Sequence, residues 1–273
     1  MATKNNRATI FGFSAFRRSL VFLASAALAA FFAAAQPAAA QAAPAAPVKN
    51  VILVHGAWAD GSCWSKVIPM LQAKGLHVTA VQIPLTSLAD DVATTQRAIA
   101  LEDGPVILVG HSYGGVVITE AGNDPKVVGL VFIAAFAPDA GENGLGITKP
   151  YPPAPLAADL RPDSQGFLKI TPEGFANDFA QDLPPAQIKI LTAAQHPTNI
   201  AALTGNVTTA SWKTKPTWFA ISANDRAIPT QLEKDEAARM KSVTVTLASS
   251  HLSMLAKPAE VSALIVKATA GSK

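Results

Sequence analysis

Along this chain, short runs of aliphatic and β-branched residues alternate with longer segments in which apolar residues recur at helical spacing. The runs show little alternation of polar and apolar positions, which is typical of strands buried on both faces of a parallel sheet. We predict six such strands, over residues 51–55, 77–83, 106–109, 127–136, 217–222 and 243–247. Strands that alternate with helices predict an α/β fold with helices on both faces of the sheet.

Two helices are predicted between the first three strands. Apolar residues at helical spacing indicate one helix over residues 63–74, which Gly75 ends. A second helix is capped by Thr86 or Ser87 and continues through Glu102.

The segment from Pro138 to Lys215 departs from this alternation. Prolines recur throughout it, and two short helices are indicated between Pro172 and Ala194. A segment of this length is uncommon as a simple connection, so we expect an insertion over residues 138–215 that forms a helical cap. Its apolar residues, Phe175 among them, favour a packed insertion over a disordered linker.

The first forty residues have the pattern of a bacterial secretory signal peptide. Basic residues precede an apolar run over residues 20–35, and alanines at positions 38–40 form a small-residue cleavage site. The run is short and alanine-rich for a membrane anchor, and a pair of arginines ahead of it also allows twin-arginine export. We expect a signal peptide over residues 1–40, an Ala/Pro-rich tether over 41–49 and one domain over 50–273, located in the periplasm or outside the cell.

Removal of this leader changes the charge of the chain. The whole sequence has 22 Lys and Arg residues, of which 18 lie beyond residue 40 against 19 Asp and Glu residues, so the remainder carries a net charge of −1. Nothing in that charge predicts a surface for nucleic acid, and we expect no membrane contact after cleavage. Cys63 is the only cysteine, which excludes an internal disulfide. The oligomeric state stays open.

The third strand leads directly into the sequence Gly110-His111-Ser112-Tyr113-Gly114. This is the G-x-S-x-G pattern between a buried strand and a helix, where glycines permit a sharp turn and the serine hydroxyl points outward from a strained backbone. A serine hydroxyl is a weak nucleophile until a base removes its proton, so Ser112 requires a histidine and an acid elsewhere in the chain. The side chains of His111 and Tyr113 are interpreted as packing residues.

Two later strands end beside residues that can supply these partners. Asp225 follows the fifth strand and His251 follows the sixth, and catalytic residues of open parallel sheets lie at the carboxyl ends of strands. Asp139, after the fourth strand, is an alternative to Asp225 as the acid. Three further acidic residues are interpreted as the solvated face of a helix: Glu233, Asp235 and Glu236.

The loop after the first strand predicts a second part of the site. A glycine there lets backbone N–H groups approach a ligand closely. In hydrolases with this kind of serine turn, an amide of this loop and the amide after the nucleophile form the oxyanion hole. We assign the hole to the N–H groups of Ala57 and Tyr113, and we expect Gly56, Trp58 and Leu252 in the substrate pocket.

Four blocks of sequence together resemble the small α/β-hydrolases of the methylesterase and hydroxynitrile-lyase group, including bacterial members. The blocks are His55 to Trp58, Gly110 to Gly115, Asn224 to Pro229 and Ser250 to Leu255. The resemblance runs from about Lys49 to the C-terminus and implies an α/β-hydrolase fold with a six-stranded, mainly parallel sheet. It also implies that Ser112, Asp225 and His251 form a catalytic triad that needs no metal and no organic cofactor.

One fold supports many reactions, so the substrate is not implied. In the plant hydroxynitrile lyases of this group, a lysine follows the catalytic histidine and a threonine lies after the first strand. This chain has Leu252 and Gly56 at the corresponding places, and therefore lacks the charge that would stabilise a departing cyanide. We predict a serine hydrolase for a small, largely apolar ester. A lyase with the same triad and a non-catalytic ligand-binding protein are the alternatives.

Overall fold

The computed structural model describes residues 48–271. The predicted signal peptide and residues 41–47 of the predicted tether lie outside the described residues. The strands are, in chain order, β1 (Asn50–Val54), β2 (His77–Val81), β3 (Val106–His111), β4 (Val127–Ile133), β5 (Leu160–Pro162), β6 (Phe167–Ile170), β7 (Thr198–Asn199), β8 (Thr217–Ser222) and β9 (Val243–Leu247). The α-helices are α1 (Ile68–Gln72), α2 (Leu88–Leu101), α3 (Gly114–Ala121), α4 (Pro172–Gly174), α5 (Pro185–Ala194), α6 (Ile200–Thr204), α7 (Thr230–Arg239), α8 (Ser253–Ala256) and α9 (Pro258–Thr269).

Six strands form one sheet in the order β2-β1-β3-β4-β8-β9, and every neighbouring pair is parallel. This confirms the six-stranded sheet that the sequence predicts. Helices flank it, with α2 packed on α3 and α1 packed on α9. Because all six strands run the same way, their carboxyl ends meet at one edge, where loops from distant parts of the chain come together. Among the helices of residues 48–271, none has both the length and the apolar character needed to cross a bilayer.

The ends of β1 to β4 differ from the expectation by one to three residues, and two predicted elements depart from it for a clear physical reason. The helix predicted over residues 63–74 is divided into a 3₁₀ turn at Gly61–Trp64 and the short helix α1. Pro69 has no N–H to donate, so an α-helix tolerates it only in the first turn. The strand predicted over residues 127–136 stops at β4, because Ala134 has a φ of 43° and turns the chain out of the extended conformation.

The turn between β3 and α3 is both strained and closely packed. Ser112 has a φ of 52°, a left-handed conformation that few residues other than glycine adopt. Helix α3 then passes so near the segment after β4 that a Cβ atom on Gly115 would overlap the backbone oxygen of Phe136. This close approach explains the glycine and holds the start of α3 directly after the serine.

A buried carboxyl group joins α2 to the same turn. Asp91 is fully buried; its Oδ2 accepts a 2.7 Å hydrogen bond from the Tyr113 hydroxyl, and its Oδ1 accepts one of 2.7 Å from Leu85 N–H. Burial raises the pKa of Asp91 to about 6, although both hydrogen bonds oppose that shift. The side chain of the residue after Ser112 is therefore anchored on a neighbouring helix.

The segment between β4 and β8 carries a second, smaller sheet, and we call this segment the cap. It contains the antiparallel sheet β5-β6-β7, helices α4 to α6 and a π-helix at Phe175–Phe179. The two short helices expected between Pro172 and Ala194 are confirmed, whereas the three strands were not predicted. Trp58, in the loop after β1, joins that loop to the cap by donating from its indole to the carbonyl of Leu168 at 3.0 Å.

We expect Gly115→Ala to lower the free energy of unfolding by about 1–3 kcal/mol, because the added methyl group must displace backbone rather than a flexible side chain. Chemical denaturation measures the effect. Gly144→Ala is the matched control, since a methyl group added there would have its nearest neighbouring atom 3.5 Å away. Equal stability of the two variants would contradict the packing argument.

The pKa of Asp91 predicts a pH dependence of stability. Because the pKa is raised from 3.8 to about 6 on folding, the folded chain keeps a proton that the unfolded chain has lost between those values. Stability should therefore fall as the pH rises from about 4 to about 6, by about 3 kcal/mol from this group.

Asp91→Asn cannot ionise, so its unfolding free energy should not show this part of the decline. Denaturant titrations at a series of pH values compare it with the wild type. Asp103→Asn, at an exposed carboxylate, leaves the buried carboxyl in place and should retain the wild-type decline. Parallel pH curves for the wild type and Asp91→Asn would disprove the assignment.

Candidate active site

Ser112 opens into a cavity of about 280 Å³ at the carboxyl ends of the strands. His251, Ala57, Tyr113 and Trp58 line the same cavity, so the structure brings five of the predicted site residues together. The rest of the wall is mostly apolar and comes largely from the cap: Phe136, Leu145, Thr148, Lys149, Tyr151, Pro152, Pro153, Ala154, Leu156, Ala157, Leu160, Leu203, Ala227, Ile228 and Pro229.

The loops after β8 and β9 place an acid against the histidine. Asp225 Oδ2 lies 2.6 Å from His251 Nδ1, and both side chains are buried. Asp225 Oδ1 accepts hydrogen bonds from the N–H groups of Ala227 at 2.7 Å and Ile228 at 2.8 Å. Because Nδ1 donates to Asp225, Nε2 is the ring nitrogen that is left to take a proton.

The imidazole of His251 and the hydroxyl of Ser112 lie at the same cavity but are not hydrogen-bonded to each other. Among the described residues, the Ser112 hydroxyl makes no hydrogen bond to His251. Such contacts are often long in unliganded enzymes and shorten when a substrate binds. The absence of this hydrogen bond therefore does not exclude Ser112 and His251 from acting together.

Two backbone amides of the cavity wall are available to a ligand. Within residues 48–271, neither Ala57 N–H nor Tyr113 N–H donates a hydrogen bond to the protein. Both residues are almost fully buried, with exposed fractions of 2% and 0%. Unused donors in a water-poor site are costly unless something accepts from them, which is what a developing oxyanion would do.

His55 orients one of these amides, a role that the sequence did not suggest. Its Nδ1 donates to the Gly56 carbonyl at 2.9 Å, while its Nε2 accepts from Ile83 N–H at 3.1 Å. In a planar trans peptide the C=O and the N–H point in opposite directions, so holding the Gly56 carbonyl turns the Ala57 N–H the other way. Burial lowers the pKa of His55 to about 4 and keeps it neutral, as both hydrogen bonds require.

His111 likewise holds the backbone of the catalytic loop. Its Nε2 donates to the carbonyl of His251 at 3.0 Å, and the two rings lie 4.6 Å apart between centroids. Burial lowers the pKa of His111 well below its ordinary value, so the ring stays neutral. His111 is thus buried, as its predicted packing role requires, and it also binds the backbone of His251.

The alternative acid lies in a different environment. Asp139 pairs with Lys213 Nζ at 2.5 Å, and this hydrogen bond lowers the pKa of its carboxyl. The structure therefore places Asp225, and not Asp139, against His251.

The interpretation of helix α7 as a solvated acidic face was wrong for two of three residues. Asp235 is exposed, but Glu233 and Glu236 are buried at 0% and 4% exposure. Glu233 Oε2 accepts from Ser222 N–H at 3.0 Å. Burial, with the nearby charge of Asp225 as the next cause, raises the pKa of Glu233 well above its ordinary value. The neutral form of Glu233 is therefore favoured in the buried space beside Asp225.

Two expected pocket residues lie elsewhere. Gly56 does not line the cavity; it is packed behind the serine, where a Cβ atom would come 2.6 Å from the Ser112 Cβ. Leu252 is 2% exposed and packs beside a much smaller void with Phe175 and Phe179. The chain turns sharply after His251, so the next side chain points away from the cavity. Within the described residues, no three His, Cys, Asp or Glu side chains are grouped to hold a metal ion.

Comparison with known proteins finds esterases among the relatives. Part of the chain is 35% identical over 121 residues to a carbendazim hydrolyzing esterase of Nocardioides sp. (strain SG-4G), covering 38% of this chain and 49% of that protein. It is 37% identical over 108 residues to Methylesterase 7 of Arabidopsis thaliana, covering 33% and 41%. The chain thus spans about half the length, or less, of the curated relatives it matches first.

The fold is shared more widely than the sequence. The crystal structure of a pyrethroid hydrolase from Sphingobium faniae JZ-2 superimposes with a TM-score of 0.71 at 21% identity, covering 81% of this chain and 97% of that one. A sequence model described as the alpha/beta hydrolase family matches residues 51–264, a stretch that includes Ser112, Asp225 and His251. Since that match extends over most of the sequence, this chain belongs to the α/β hydrolase family.

Proposed function

We propose that this protein is a serine esterase that cleaves a small, largely apolar carboxylic ester through an acyl-enzyme. The observation that supports it best is the single cavity shared by Ser112, His251 and the two unused amides of Ala57 and Tyr113. Acyl transfer needs a nucleophile, a base and oxyanion donors that converge on one position of the substrate.

In the proposed reaction, Ser112 Oγ attacks the ester carbonyl carbon while His251 Nε2 takes the hydroxyl proton. The carbonyl oxygen becomes an oxyanion that accepts from the two amides, and Asp225 stabilises the imidazolium. The bond to the alcohol oxygen breaks as His251 returns the proton to the leaving group. Water then attacks the acyl-serine with the same base, which releases the carboxylic acid and restores the serine.

The cavity wall indicates the substrate class. Phe136, Leu145, Tyr151 and Leu156 surround a space of about 280 Å³, in which a substrate would meet few polar groups apart from the triad and the amides. An ester with an apolar or aromatic acyl or alcohol group fits such a wall. Relatives named as a carbendazim hydrolyzing esterase and a pyrethroid hydrolase support this class.

The groups around the cavity favour ester hydrolysis over cyanohydrin cleavage. The Leu252 side chain lies outside the cavity and carries no charge, and a threonine in place of Gly56 would collide with Ser112. Among the described residues, the cation that lines the cavity is Lys149, which is exposed, so water and salt screen its charge. A departing cyanide anion would therefore gain little stabilisation here.

We also propose that the protein acts outside the cytoplasm after loss of residues 1–40. The basic residues, the apolar run and the alanine site of that segment support this proposal. Intact-mass measurement of the periplasmic fraction of a Gram-negative host expressing the full chain should show cleavage near residue 40. Exported protein that keeps Arg17 and Arg18 would contradict it.

Ser112→Ala should lower ester hydrolysis by roughly a thousandfold or more while leaving the melting temperature unchanged, because it removes the nucleophile but adds no atoms. A panel of p-nitrophenyl esters, with a fluorophosphonate probe to label the active serine, measures the effect. Ser62→Ala, at an exposed serine outside the main cavity, is the control and should be labelled and active like the wild type.

The same panel includes mandelonitrile, from which we expect no cyanide release above background. Cyanide release that depends on Ser112, without cleavage of any ester, would favour the lyase. Binding of the esters without turnover or labelling would favour a non-catalytic ligand-binding protein.

A further inference from the structure

Residues 178–182 of the cap contact both loops that carry the acid and the histidine. We call these residues the clamp segment; they comprise the end of the π-helix Phe175–Phe179 and the turn that follows it. The proposed reaction assigns them no chemical step. Their contacts lie on the residues immediately before and after the catalytic side chains.

The clamp segment holds the acid loop on both sides of Asp225. Asp178 accepts from Arg226 Nε in an ion pair, and Gln181 Nε2 donates to the carbonyl of Asn224 at 2.7 Å. The residues before and after the catalytic acid are thus each joined to the same short stretch of the cap.

The clamp segment also holds the histidine loop. Asp182 accepts twice from Ser250: Oδ2 from its N–H at 2.7 Å and Oδ1 from its hydroxyl at 2.5 Å. Ser250 is fully buried and directly precedes His251. The ring of Phe179 lies 5.0 Å from the His251 ring, between centroids. Because one carboxylate accepts from both groups of Ser250, it fixes the orientation of the histidine loop as well as the distance of that loop from the clamp segment.

We propose that the clamp segment sets the relative position of Asp225 and His251, with Asp182 as the principal positioning residue. Asp182 does not line the cavity that contains Ser112, so it acts through the histidine loop and not on the substrate. Without it, two donors of a buried serine lose their acceptor and the loop must rearrange to satisfy them. Misplacement of a catalytic group by about 1 Å can cost about a hundredfold in rate.

Asp182→Ala should therefore lower kcat roughly ten- to a hundredfold and leave KM nearly unchanged, because the cavity wall is intact. Asp182→Asn should restore most of the activity, since its amide oxygen can still accept from Ser250 N–H while its NH₂ group donates to the hydroxyl. Glu173→Ala is the control: it removes an exposed carboxylate of the cap that forms no hydrogen bond or ion pair with either catalytic loop within the described residues, and it should behave like the wild type.

A second measurement does not need the esterase activity on which the kinetic test rests. The downfield proton resonance of His251 Nδ1–H reports the hydrogen bond to Asp225 directly. We expect it to broaden or disappear in Asp182→Ala and to persist in Asp182→Asn and Glu173→Ala. If the wild type cleaves no ester and Ser112 is not labelled, the proposed function fails. The resonance still tests whether the clamp segment positions His251 against Asp225.

Wild-type kcat and an unchanged resonance in Asp182→Ala would overturn the proposal. A loss of activity that only follows a loss of folded protein, with the resonance unchanged in the folded fraction, would also overturn it. If Asp182→Ala does not fold, Ser250→Ala provides the test, because it removes the hydroxyl donor and keeps the backbone one. It should lower kcat in the same direction by a smaller factor, and wild-type kcat with an unchanged resonance would then refute the clamp.

Discussion

The buried hydrogen bond between His251 and Asp225 is the interaction on which the rest of the site depends. A carboxylate at this depth is stable only when its oxygens are satisfied, and Asp225 uses Oδ1 for two backbone N–H groups and Oδ2 for the imidazole. Glu233 lies in the same buried region, where a second negative charge would be costly. Burial raises the pKa of Glu233 well above its ordinary value, which favours its neutral form in this region.

Several buried polar side chains near the site form hydrogen bonds that keep its loops in place. Any effect of these side chains on the chemistry is therefore indirect. His55 fixes the peptide that carries the Ala57 amide, and His111 fixes the carbonyl of His251. Asp91 anchors the side chain of Tyr113, whose own amide faces the cavity. These groups are neutral or hydrogen-bonded, which lets them stay in the interior while Ser112 and His251 line the cavity.

The cap has two relations to the site. Its apolar residues supply much of the cavity wall, and its clamp segment contacts the loops of Asp225 and His251 from outside the cavity. A change in the cap can therefore alter the shape available to a substrate and, on our proposal, the alignment of the triad. On this proposal, substitutions in the cap that change the cavity wall must leave the clamp segment in place.

The six strands of the main sheet and the positions of Ser112, Asp225 and His251 after strand ends could be predicted from the sequence because their signals are local. A buried strand, a glycine-flanked serine and a residue just past a strand end are each visible within a few neighbours. The parallel sheet then brings those strand ends to one edge, so the proximity of the three residues follows from the fold class.

The tertiary structure decided what depends on partners that are distant in the sequence. Glu233 and Glu236 are buried because α7 turns that face inward, and Leu252 leaves the cavity because the chain turns after His251. The sequence favoured Asp225 and left Asp139 as an alternative; the structure separates them, because Asp225 contacts His251 whereas Asp139 pairs with Lys213. The contacts of His55 and Asp182 likewise join segments whose sequences carry no common pattern. Local patterns specify which elements form, whereas burial and hydrogen-bond partners are set only when those elements pack.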